Sequence, residues 1–153
     1  MMAAMVNPRP EVIVVLLKAG AKITDKDTGG ATPLMYAAVA NPNADVVSAL
    51  LNAGASVNDT DVSGGTALLR ACQNNTNVAV ITTLLKAGSN INVKNAAGQT
   101  PLIMAVLGNT PTVIRTLVKS GADKSTKDFQ GKTAADYAGA NDDPKGAASA
   151  LRG

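Results

Sequence analysis

The chain contains no histidine and no tryptophan, one cysteine, and three aromatic residues: Tyr36, Tyr137 and Phe129. Each shortage excludes something. Without imidazole there is no His-ligated metal site, no histidine general base and no Ser-His or Cys-His couple. The lone Cys72 forms no intrachain disulfide, so the fold does not depend on an oxidising compartment. With no histidine to activate its thiolate, Cys72 makes a poor nucleophile. Rings bury large areas, and at 2% of the chain they are too few for a thick single core. Apolar runs such as residues 12–17 fall far short of the roughly 20 residues of a membrane span. The opening "MMAAMVNPRP" has neither the charged n-region nor the apolar h-region of an export signal, which makes a cytoplasmic location the expectation. Charge is scarce too. The net charge is +3, from 14 basic and 11 acidic residues, and the basic ones are scattered. The pI of 9.1 only just reaches the range of about 9 and above typical of nucleic-acid-binding domains, so no nucleic-acid partner is expected.

What the chain does have is aliphatic residues in repeating order. "NPRPEVIVVLLKAGA" (7–21) recurs as "NPNADVVSALLNAGA" (41–55), 34 positions later. Three marks keep this register. A Leu-Leu or Leu-Val pair precedes each of Gly20, Gly54, Gly88 and Gly121, glycines spaced 34, 34 and 33 apart. The pattern [Asp/Asn]-x-x-Gly-x-Thr occurs at residues 27–32, 61–66, 95–100 and 128–133. A small-residue pair follows each: Ala37-Ala38, Ala71-Cys72, Ala105-Val106 and Ala138-Gly139. Self-similarity at this period is the signature of a repeat architecture.

Each unit follows from local chemistry. Asp or Asn with Gly three positions on makes a turn, the glycine supplying positive φ. The next Thr caps a helix, and Pro33 and Pro101 stand at the first helical position, where the missing N–H does no harm. After a polar break ("NPN", "NNTN", "NTPT") a second helix carries apolar residues at helical spacing, such as Val47, Leu50 and Leu51. Lys18, Lys86 and Lys119 suit its carboxyl end, and a C′ glycine stops it. Neither helix is long enough to be stable alone, so burial requires stacking of neighbours. Cys72 occupies the small-residue column and reads as packing. The acidic pairs Asp59-Asp61 and Asp142-Asp143 lie at turns and breaks, where a structural role outweighs acid–base work.

The chain resembles the ankyrin repeat over essentially its whole length. "GATPLMYAA" and "GQTPLIMAV" are similar to its Thr-Pro-Leu-His helix start, and "AGASVND" and "AGSNINV" to its hairpin; the "NPN" breaks resemble bacterial-style repeats. The resemblance implies an all-α fold, an α-solenoid of about four and a half stacked helix–loop–helix units with short hairpin-like turns between them. The expected division is an N-terminal partial repeat or cap at 1–26, repeats at 27–60, 61–94 and 95–127, and a C-terminal capping repeat at 128–153. Two departures stand out. The family's histidine is absent; Met35, Leu69, Ile103 and Asp136 stand there, so its bonds to the turns should be missing. Most units carry one extra residue at the interhelical break, read here as loop tolerance.

By the 34-residue offset the chain starts inside a first helix. Either the array is a fragment of something longer, or the half-unit is a natural cap. Val14 shares a column with Ser48, Thr82 and Arg115 and should face solvent. At the other end Lys124 replaces the apolar residue of the Ile23, Val57, Ile91 column, and a short final helix around residues 144–151 suits a polar cap.

The resemblance places partner contacts on the hairpin tips and the exposed edge of the first helices. The tips are Thr28, Gly29 and Ala31; Val62, Ser63 and Gly65; Ala96, Ala97 and Gln99; Phe129, Gln130 and Lys132. The edge is Tyr36, Val39, Ala40, Arg70, Gln73, Asn74, Met104 and Leu107. Several have structural readings too: Arg70 as a side chain lying along its own helix, Tyr36 and Tyr137 as partly buried, Phe129 as packing over the last hairpin. This face is poor in charge. Its partner would be engaged through apolar and backbone contacts, or the working surface lies in upstream repeats, or the convex face with Ser48, Thr82 and Thr83 is used. The expectation is a monomeric, non-catalytic module that binds another protein, needing no cofactor or metal. The alternative is an accessory structural or oligomerisation domain of a larger protein.

Overall fold

In a computed structural model, residues 2–140 and 146–152 are described, and they contain ten helices and no strand. The helices are α1 (Met2–Val6), α2 (Pro10–Lys18), α3 (Pro33–Ala40), α4 (Ala44–Asn52), α5 (Ala67–Asn74), α6 (Val78–Lys86), α7 (Pro101–Gly108), α8 (Pro111–Lys119), α9 (Ala134–Ala140) and α10 (Ala147–Arg152). They stack in two layers. The odd helices form one row, α1 on α3 on α5 on α7 on α9, and the even helices form the other, α2 on α4 on α6 on α8 on α10.

Local signals set the ends of each helix. Thr32, Thr66 and Thr100 accept the N–H of Met35, Leu69 and Ile103 through their hydroxyls at 3.3 Å. Pro33 and Pro101 open α3 and α7. In the last unit the cap is reciprocal: Thr133 Oγ1 accepts from the Asp136 N–H, while Asp136 Oδ2 accepts from the Thr133 N–H. At the other end of α2, Gly20 has φ 94°, its N–H donates to Leu17 O and the Ala21 N–H donates to Leu16 O. This paired closure, a Schellman motif, needs the left-handed residue that glycine supplies.

The core lies between the layers and is aliphatic. Leu34, Leu68 and Leu102 are at most 1% exposed, and Ala37, Ala71 and Ala105 are wholly buried. Those alanines let successive odd helices approach closely. In the even row Val46, Val47, Leu50, Val80, Ile81, Leu84, Val113, Ile114 and Leu117 are buried. Cys72 packs among them, and burial pushes its thiol pKa far up, so no thiolate forms there.

The family's histidine column holds buried aliphatics in three units, Met35, Leu69 and Ile103. Only Asp136 hydrogen-bonds through its side chain, in the cap just described. Part of the expected final helix, residues 144 and 145, lies outside the described residues; α10 itself buries Ala147, Ala150 and Leu151. Lys124 donates to Leu151 O at 3.3 Å, which ties the polar column residue to that last helix.

The interhelical breaks are structural, which corrects their reading as tolerated loops. Asn41 is wholly buried and donates its amide to Ala4 O and Asn7 O, both at 2.8 Å. Asn75 does the same to Ala38 O and Asn41 O, and Asn109 to Cys72 O and Asn75 O. These amides form a ladder from unit to unit. The extra residue adds a second rung: Asn43 Nδ2 donates to Pro8 O and Asn77 Nδ2 to Pro42 O. In the shorter unit Asn109 is followed directly by the N-cap Thr110, which makes no such bond.

Candidate functional site

The hairpin tips project beyond the amino ends of the odd helices. Each begins with an Asx turn. Asp27 Oδ1 accepts the N–H of Gly29 and Ala31 at 2.8 Å, while the Gly30 N–H donates to Asp27 O. Gly30, Gly64, Gly98 and Gly131 have φ between 71° and 78°, the conformation the turn demands. Successive tips are joined by one backbone bond: the Val62 N–H donates to Gly29 O, Ala96 to Ser63 O, and Phe129 to Ala97 O.

In the three aspartate turns the second carboxylate oxygen is held by the side chain nine residues on. The Tyr36 hydroxyl donates to Asp27 Oδ2 at 2.6 Å, and the Tyr137 hydroxyl to Asp128 Oδ2 at 2.6 Å. Arg70 donates through Nε at 2.9 Å, and through Nη2, to Asp61 Oδ2. In the third unit Asn95 Nδ2 lies 3.9 Å from the Met104 sulfur. The turn Asx residue therefore holds its hairpin and also clamps the tip to the first helix.

The electrostatics follow. Burial alone would raise the Asp61 pKa, but the Ser63 hydroxyl, Arg70 and the Gly65 and Ser63 N–H groups outweigh it and hold the carboxyl at about 2. The Tyr36 hydroxyl lowers Asp27 and the Tyr137 hydroxyl lowers Asp128; the tyrosines are raised in return. These carboxylates are ionised and both oxygens of each already accept hydrogen bonds, so none is a free general base. Lys132 Nζ sits 5.2 Å from the centre of the Tyr137 ring.

Of the residues expected at the contact face, Thr28, Ala40, Val62, Ser63, Gln73, Asn74, Ala96, Ala97, Leu107, Phe129, Gln130 and Lys132 are exposed. Gly29, Ala31, Val39 and Gln99 are half-buried. Tyr36, Arg70 and Met104 are half-buried as well and face their own turns. Gly65 is buried rather than presented: a methyl group there would come within 2.5 Å of Asp61 Oδ2. Phe129 lies over the preceding hairpin, where a methyl on Gly98 would meet its ring at 2.7 Å, yet it stays 76% exposed.

Between the first two tips lies a depression of about 260 Å³ with Val39 and Met35 at its base and Tyr36, Val62 and Arg70 around it. Arg70 also borders a smaller one, of about 70 Å³, beside Gln73 and Met104. On the even helices α4, α6 and α8 the hydroxyls of Ser48, Thr82 and Thr116 are bonded to carbonyls of their own helices. Among the described residues no cluster of three or more metal-ligating side chains occurs, and no helix is long and apolar enough to cross a membrane.

The clamp across nine residues was hidden in the sequence because its second member changes from Tyr to Arg to Met to Tyr. The first member, Asp27, Asp61, Asn95 and Asp128, was the available signal. A model of ankyrin repeats in three copies matches residues 1–95, and a model of ankyrin repeats in many copies matches residues 84–138. No curated protein matches the chain.

Proposed function

The chain belongs to the ankyrin-repeat family, whose members are generally protein–protein interaction modules and typically non-catalytic. From that premise we propose that it binds another protein along the concave side formed by the hairpin tips and the odd-helix edges. The observation that carries this reading is the placing of exposed apolar side chains. Val62 at 82%, Phe129 at 76% and Leu107 at 40% exposure all stand on this side, on a backbone fixed by clamped turns. Large apolar groups held on a rigid frame bind with little ordering cost. Among the tip and edge residues named above, Arg70 and Lys132 are the charged ones, and both lie against their own units. The partner's matching surface is therefore apolar and largely uncharged.

The test is capture of a protein from lysate of the source organism by the chain and by a Val62→Ser, Leu107→Ser, Phe129→Ser variant of equal helicity. Arg70 is left intact, since its loss would loosen the tip. A partner held by the parent and released by the variant supports the concave side. Equal retention by both would end this reading.

A further inference from the structure

The outer edge of the first unit, formed by α1 and α2, shows an interface half made. In α4, α6 and α8 one valine column is wholly buried, Val46, Val80 and Val113, but Val12 in α2 is half-exposed. Leu50, Leu84 and Leu117 are at most 1% exposed, whereas Leu16 is 39% exposed and Val15 beside it 63%. Ala3 is half-exposed where Ala37, Ala71 and Ala105 are wholly buried. A depression of about 240 Å³ opens beside them among Ala3, Ile13, Leu16 and Leu17, and Pro33 and Leu50 of the second unit also line it.

Two polar donors on the same edge repeat the pattern independently. Asn41, Asn75 and Asn109 each donate their amide to two carbonyls of the unit before. Asn7 holds the same register position and accepts the Arg9 N–H, but its own amide has no acceptor among the described residues. The N–H groups of Val62, Ala96 and Phe129 each donate to the preceding tip, while that of Thr28 donates to nothing described. An apolar stripe alone would accept any greasy surface. Stripe and donors together ask for carbonyls at the interhelical break and at the hairpin tip, set at the spacing of this repeat.

We propose that the α1–α2 edge is a stacking surface whose occupant is a further helix–loop–helix unit of this same repeat type. It continues, in register, the interface that already joins the other units. A second copy meeting it head-on would offer the same donors and no carbonyls in the required places. The opposite end of the molecule does not complement it either, since α10 and Lys124 already cover that end.

The occupant can be supplied in register by joining a copy of residues 27–68 ahead of Met1, which continues the 34-residue offset. Urea unfolding and sedimentation are then run on the chain with and without this extension, each with and without Asn7→Ala and Leu16→Lys. In the extended chain Asn7→Ala should lower the folding constant by about tenfold and Leu16→Lys by more, because an acceptor pair and an apolar contact are lost. Without the extension Asn7→Ala should change it by less than about threefold and Leu16→Lys by no more than about fivefold. Equal effects of these substitutions in both chains would overturn the proposal. So would an unextended chain that sediments as a dimer and becomes monomeric on Leu16→Lys, since the edge would then be filled by a second copy. Concave-side capture is read on other residues, so this test fails or succeeds separately from it.

Discussion

Helices α2 and α4 are written in nearly the same letters, yet they live in different surroundings. "VIVVLLKAGA" and "VVSALLNAGA" end in the same glycine closure, and Ile13 and Val47 are both buried. But Leu16 is 39% exposed where Leu50 is 1% exposed. The helix is a property of the string; burial is a property of the stack. A residue in a repeat array has no fixed energetic role until its neighbour on each side is known.

Leu50→Ala should break the comparison most visibly. It opens a cavity between layers and should cost about 2–5 kcal/mol in urea unfolding, whereas Leu16→Ala should cost about 1 kcal/mol. Equal losses would mean that α2 is covered in solution. Next comes the ladder. Asn75→Ala strands two buried carbonyls, Ala38 O and Asn41 O, and should cost about 1–3 kcal/mol, while Asn7→Ala should stay within about 0.5 kcal/mol.

Acid should separate the units by their turns. Asp61 has a folded pKa of about 2, below the ordinary value near 3.9. A carboxylate with a depressed folded pKa contributes stability that is present above the unfolded value and is lost as pH falls through the folded one. Unfolding midpoints should therefore decline between about pH 4 and pH 2, and Asp61→Asn should flatten that decline. The Asn95 turn does not titrate, so Asn95→Ala should leave the slope unchanged. The smallest effect concerns Ser89, whose hydroxyl is buried with no partner among the described residues, in a column otherwise occupied by Ala21, Ala55 and Ala122. Ser89→Ala should leave thermal stability unchanged or raise it by up to about 1 kcal/mol.

Much of this fold was legible because its signals are local. A threonine cap reaches three residues, a C′ glycine closes one turn, and apolar spacing needs only two turns of helix. What escaped was bonding across longer separations. The donor Asn75 and its acceptor Asn41 are 34 residues apart, and nothing in "NNTN" distinguishes a ladder rung from a tolerated loop. The candidate face was half legible. Exposure of Val62 and Phe129 followed from the turn pattern, but the varied Tyr36, Arg70 and Met104 column looked like partner-facing variation. It is variation in how each unit clamps its own turn.

Asn41, Asn75 and Asn109 all reach towards the amino end of the polypeptide. A ribosome releases the chain amino end first. Every carbonyl on this ladder has therefore left the exit tunnel before the asparagine that will bind it. Each pair of helices finds its docking site already displayed as it emerges, so assembly can keep pace with translation instead of waiting for the stop codon.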